Sequence, residues 1–393
     1  MAKSITGVCA TLGVTTLGLA TFSLATMVAC AAAADLPKAM QKVVADLKLD
    51  AKDLDGLDQE LAVPRAWIDG AQAEKETIVL GTWNEKEFRQ MVGPFRERYP
   101  FINLKYDRSG TSNRGMKVLV ALAENRIIAD VLVSIADAAT EFRETKALAD
   151  LRELPGFKNI DTAYVAADGT WTGFKLSYRC MAYNTDKVKA ADLPKTWDDL
   201  VNNPRWGKGN LALSNHPDSW LLGMWGEKGE AWGVDFTQKL FRNLQPQRRK
   251  EGMTAVSSLT VAGEFDANIP APEWVVKRYV TKGAPINYHC PEPVPINISQ
   301  IAMLDKSPRK NAARLFINWM ISREGQIMQY AESFAVPVHK ALQSEQYRPF
   351  GETITGKPAI VRDETLLNGE ASKKMNEVWD AEWAKAPAVG KGQ

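Results

Sequence analysis

Apolar positions recur along this chain with two periods, and each change of period predicts a change of element. Towards the C-terminus, Ala312, Leu315, Phe316, Trp319 and Met320 stand at i, i+3, i+4, i+7 and i+8, one apolar stripe on a polar cylinder. Ser307-Pro308 marks the start of that helix, and Gly325 is expected near its end. Ahead of it, Gly283-Ala284-Pro285 predicts a turn, followed by an extended run broken by Pro291, Pro293 and Pro295. Nearer the N-terminus, Thr77-Ile78-Val79-Leu80 is a short β-branched run that suits a buried strand and stops at Gly81. A helix follows with Phe88, Met91, Val92, Phe95 and Tyr99 on one face, interrupted at Gly93-Pro94. Then come a strand over residues 102–106, a polar turn over 109–114, a helix to Leu122 and a strand over 129–134. This alternation predicts an α/β chain with a mostly parallel sheet flanked by helices.

In such sheets ligands sit at the carboxyl ends of the strands. That rule selects the loops over residues 81–85, 109–114 and 134–137, and with them Trp83, Asn84, Glu85, Ser112, Arg114 and Ser134. Two of these loops open helices, whose N-terminal amides favour an anionic group. Ordinary capping explains any one loop equally well. Their shared sheet edge is what makes them a candidate site.

Composition narrows the class. The chain has 393 residues, 45% hydrophobic and 24% charged, enough for two domains. Residues 1–34 carry Lys3 as their only charge, then an apolar stretch ending in Ala31-Ala32-Ala33-Ala34, which predicts a cleaved export signal. A retained membrane anchor and lipid attachment at Cys30 are the lesser alternatives. Without Lys3 the net charge is about +1, which gives no electrostatic case for nucleic acid. Cys180 and Cys290 remain in the exported part, as one disulfide or as two free thiols. Residues 35–76 read as a helical lead-in whose Leu49, Leu54, Leu57 and Leu61 are too sparse for a core.

Several motifs then occur in a fixed order. They are Tyr183-Asn184-Thr185-Asp186-Lys187-Val188, the run Leu193-Pro194-Lys195-Thr196-Trp197-Asp198-Asp199-Leu200, the Gly263-Glu264 turn, the Gly283-Ala284-Pro285 turn and the helix from Pro308 to Gln326. Together, over residues 62–345, they resemble the family 1 extracellular solute-binding proteins of bacterial ABC importers. The resemblance implies a periplasmic binding protein of type II, with two α/β lobes joined by crossing strands. It implies lobes over 77–180 with 288–310 and over 181–287, and C-terminal helices over 311–393 packing across both. Residues 171–187 would cross between the lobes and the strand through Tyr288 and Glu292 would return. That places Cys180 near Cys290 and favours the disulfide. The second lobe would offer Asn215 and His216 after one strand and Glu273 and Trp274 after another.

Catalytic signatures are missing from the sequence: there is no GxSxG elbow, P-loop, HExxH or dinucleotide fingerprint, and His216, His289 and His339 are scattered. The expectation is therefore a monomeric carrier without cofactor, serving a membrane permease. Trp83, Trp274 and Tyr288 are expected as flat walls, and Arg114 and Arg179 as holders of a carboxylate or phosphate. Glu85, Glu273 and Glu292 leave a cationic solute open. Ferric-ion binders of the family place adjacent tyrosines where this chain has Glu273-Trp274, an acidic ligand where it has Ile135, and a histidine near Glu85. A small organic solute, with an anion as the leading candidate, is expected in place of iron; a ferric carrier, an exported enzyme and a sensor subunit are the alternatives.

Overall fold

The computed structural model describes residues 36–109, 114–135, 138–360 and 369–385. The expected export signal, Ser112 and the end of the chain lie outside them. Among the described residues, ten strands form one continuous sheet: β1 (Glu76–Gly81), β2 (Asn103–Arg108), β3 (Val131–Val133), β4 (Trp171–Asn184), β5 (Leu211–Ser214), β6 (Gln247–Arg249), β7 (Ala267–Pro272), β8 (Ile286–His289), β9 (Val294–Met303) and β10 (Pro358–Ile360). Their order is β2-β1-β3-β9-β4-β7-β5-β6, with β10 on β9 and β8 on β4. As the alternation predicted, β1 runs parallel to β2 and β3.

Strand β4 is the axis of the molecule. Its first half pairs antiparallel with β9, from Trp171 opposite Ala302 to Tyr178 opposite Ile296. Its second half pairs with β7, Arg179 opposite Pro272, and with β8, Met181 opposite His289. Bulges at 173/175 and 180/182 reorient it on the way. One strand thus belongs to both halves of the sheet. The β8 pairing also carries Cys290 beside Cys180, and the two are disulfide-bonded with Cα atoms 4.9 Å apart.

Three expectations need correction. The lead-in is part of the core: Met40, Leu49, Leu57 and Leu61 are buried. The helix Lys38–Leu47 packs on Gly93–Arg98, and Arg65–Glu74 packs on Lys310–Ile321. Sparse leucines suffice there because three short helices each bury only one edge. Gly325 does not end the apolar helix, which runs Lys310–Ile321; it sits in the first turn of the next one, Arg323–Ser333, capped by Ser322. A Cβ at Gly325 would meet the Trp319 carbonyl oxygen at 2.2 Å, so the tight junction between the helices admits only glycine. The expected single helix after β1 is likewise two, Glu85–Met91 and Gly93–Arg98.

Among the described residues, no helix is long and apolar enough to cross a membrane.

Candidate ligand cleft

The stretch Lys175 to Arg179 alternates polar and apolar residues inside a strand that is otherwise buried. Successive side chains on a strand point to opposite faces, so Lys175, Ser177 and Arg179 share one face. Pairing with β9 sets Ser299 opposite Lys175 and Asn297 opposite Ser177. The result is a polar floor where the two halves of the sheet meet.

Above that floor lies a cavity of about 330 Å³. Thr82 and Trp83 wall it from the loop after β1, Ser134 from the end of β3, Trp274 and Arg278 from the helix Glu273–Val280, and Ser333 and Ala335 from the end of the helix Arg323–Ser333. Gly81 lets Trp83 fold back against the strand: a Cβ there would stand 3.0 Å from the indole. Tyr106 donates its hydroxyl proton to the Trp83 carbonyl at 2.7 Å and pins the loop. A larger opening, about 370 Å³, lies beside the helix Arg114–Ala123. It is mostly apolar, with charged groups only from Glu141, Lys146 and Lys306, and lacks a convergent buried polar set among the described residues.

The cleft is electrically unusual. Lys175 packs over the rings of Trp83 at 6.0 Å and Phe174 at 5.5 Å. Burial, helped by the nearby Arg179 charge, lowers its ammonium to about 8. Burial lowers Arg179 as well. Glu273, fully buried at the first position of its helix, is pushed up to about 7 by burial, against the pull of Arg179 and Ser177. A third cation, Arg278, lies 5.0 Å from the Trp274 ring and pairs with Glu87 on the helix Glu85–Met91. Trp83 Nε1, Arg179 Nε and Glu273 Oε1 are buried without a hydrogen-bond partner among the described residues. Such atoms carry a desolvation cost that a ligand can relieve.

Of the residues expected from sequence, Trp83, Ser134, Arg179 and Trp274 line this cavity, and Glu273 lies beneath it through Ser177. The others serve elsewhere. Asn84 caps the helix Glu85–Met91, and Glu85 is exposed in its first turn. Arg114 is buried and donates to the carbonyls of Ser109 and Ser134, which fixes the two loops against each other. Asn215 accepts from the indole of Trp379, and His216 precedes a short turn. Tyr288 is no wall: its hydroxyl bridges Cys180 N and the Ala271 carbonyl inside the core, each at 3.0 Å. Glu292 turns away to accept from Lys357 N. Sequence reasoning missed Lys175, Ser177, Arg278, Asn297 and Ser299. The alternation in β4 was the signal that could have found the first two.

A sheet in two halves, joined by a shared strand with a polar cleft at the junction, is the architecture of a two-lobe binding protein. The sequence matches the pattern of the bacterial extracellular solute-binding proteins over residues 90–349, and the chain belongs to that family. Iron uptake protein A1 of Synechocystis sp. is 25% identical over 245 residues, 56% of this chain. The match spans 64% of that relative's own length. Iron-bound HitA from Pseudomonas aeruginosa superposes with a TM-score of 0.65 at 20% identity, over 78% of this chain and 98% of that one. AfuA from Actinobacillus pleuropneumoniae, bound to fructose-6-phosphate, gives 0.62 at 17% identity, over 79% and 99%.

Proposed function

We propose that the exported chain, freed of residues 1–34, captures a small organic anion in the periplasm and delivers it to an ABC permease by closing two lobes. The lobes are residues 77–180 with 288–310, and residues 181–287, with the C-terminal helices packed across them. The single observation that carries the anion is the Lys175, Ser177 and Arg179 stripe, with Arg179 Nε unpartnered among the described residues. The anionic group sits on that stripe, where low polarity strengthens each charged hydrogen bond. Trp83 and Trp274 cover the solute's body.

Ferric iron is the second reading, supported by the names of the relatives in Synechocystis and Pseudomonas aeruginosa. Fe³⁺ requires anionic oxygen donors, whereas this cavity is lined by Lys175, Arg179 and Arg278, with Glu87 as the one carboxylate among the described lining residues. Sugar phosphate, which AfuA holds, fits such a lining better.

A thermal-shift screen of residues 35–393 against carboxylates, phosphonates, sugar phosphates, amines and ferric salts tests this. A ligand at about 100 times its Kd adds about 2.7 kcal/mol and raises the melting point by a few degrees. A rise with an organic anion, lost in Arg179→Met, is expected. A rise with ferric salt alone would overturn the anion reading.

A further inference from the structure

Ser177 makes two hydrogen bonds through one oxygen. Arg179 Nη1 donates to its Oγ at 2.8 Å, and the hydroxyl donates to Glu273 Oε2 at 2.8 Å. A hydroxyl has one proton and two lone pairs. While Glu273 is ionised, that proton points into the floor, away from the cavity that Ser177 lines. Placing a proton on Glu273 reverses the chain: the carboxyl O–H donates to Oγ, Arg179 keeps the second lone pair, and the Ser177 proton is released towards the cavity. No heavy atom has to move.

We propose that Glu273 and Ser177 form a proton-operated donor: capture of an anion takes up one proton at Glu273, which turns the Ser177 hydroxyl onto the bound anion. Glu273 is then a positioning residue that acts through Ser177. The proposal deepens the anion reading and rests on it.

Two further observations support it. Glu273 Oε1 is buried without a partner among the described residues, an arrangement costly for a carboxylate and much less so for a neutral carboxyl. The surroundings also hold the carboxyl near its point of ionisation. Lys175, Tyr178 and Arg179 of β4 and Tyr288 of β8 lie within its electrostatic reach, whereas His289, the next residue of β8, points to the other strand face. On its own helix stand Lys277 and Arg278, the latter engaged by Glu87. Strand β7 and the helix Met253–Val261 bring no titratable group. Burial lifts both tyrosines, so they stay neutral, and the His289 ring is held by the Pro194 carbonyl. Arg179 is therefore the charge that most opposes protonation of Glu273, and an anion seated on Arg179 neutralises it.

Sulfate is a suitable probe because its own charge does not change near neutral pH. Calorimetric titration of residues 35–393 with sodium sulfate, from about pH 6 to about pH 8 in two buffers of unlike ionisation heat, counts the protons. The native chain is expected to take up nearly one proton at the alkaline end and to bind about tenfold more weakly there than at the acid end. In Glu273→Gln the amide N–H donates to Ser177 at every pH, so that tenfold fall and its proton uptake disappear; a smaller fall from Lys175 is common to both chains. Ser177→Ala, which alters only the hydroxyl, should bind sulfate more weakly even at the acid end. Equal proton counts and equal pH slopes in the native chain and Glu273→Gln would overturn the switch alone. Absence of sulfate binding throughout would overturn the anion reading and the switch with it.

Discussion

Lys175 and Glu273 each make the folded protein less stable than it need be, and in opposite directions along the pH scale. The Glu273 carboxyl rises from 4.5 to about 7 on folding, so its contribution to stability is fully present below about 4.5 and is lost as pH rises through 7. The Lys175 ammonium falls from 10.5 to about 8, so its contribution is present above about 10.5 and is lost as pH falls through 8. Between the two values both groups oppose folding. Buried groups with such a cost are kept where binding needs them. Glu273→Gln is expected to flatten the acid side of the stability curve and Lys175→Met the alkaline side. Both variants should melt higher than the native chain near pH 7.5, as followed by calorimetry, while Lys175→Met loses the ligand-induced rise. A lower melting point in both variants would show that these charges stabilise the fold.

At the scale of elements, local chemistry and distant chemistry share the work of ending helices. The helix Trp197–Asn202 begins with a capping box, Thr196 accepting from Asp199 N at 3.0 Å and Asp199 accepting from Thr196 N at 2.9 Å. Those residues were readable as a helix start from their order alone. Thr196→Ala should cost about 1 kcal/mol in urea unfolding. The helix Lys310–Ile321 has no such local cap. Glu74, from the lead-in, accepts from Asn311 N at 3.1 Å and Ala312 N at 2.7 Å. Glu74→Gln keeps the shape and removes the charge at a helix N-terminus, and is expected to cost about 1 kcal/mol in the same assay. Nothing in the spacing of Glu74 and Asn311 announces that contact, because the chain between them makes most of the molecule.

Across the whole molecule, the disulfide ties the outward strand to the returning one, and one ion pair bridges the halves. Cys180 and Cys290 close a loop with a sequence separation of 110. Loop-closure entropy for that length is worth about 4–5 kcal/mol, so reduction should lower the melting point by several degrees. Two thiols should react with a thiol reagent in the unfolded chain only after reduction. Arg278 on the second half pairs with Glu87 on the first, across the wall of the cavity. That contact is partly exposed at the rim of the cavity and is therefore weakened by salt. The expected crossing of outward and return strands was correct and brought the cysteines together. The expected ligand set was legible only in part, since Arg114 and Tyr288 carry the right chemistry but spend it on backbone carbonyls and amides inside the fold.

What the sequence determined by itself is whatever rests on neighbours in the chain: the strand and helix periods, the helix starts at Thr196 and Ser307-Pro308, and the family motifs. Tertiary structure alone decided which donors and acceptors remain free. Asn84, Arg114 and Glu292 are satisfied by protein partners, whereas Arg179 Nε and Glu273 Oε1 are buried without one among the described residues. The physical reason is that hydrogen-bond satisfaction depends on what is near in space, and β4 meets β7, β8 and β9 only after the chain has folded back on itself.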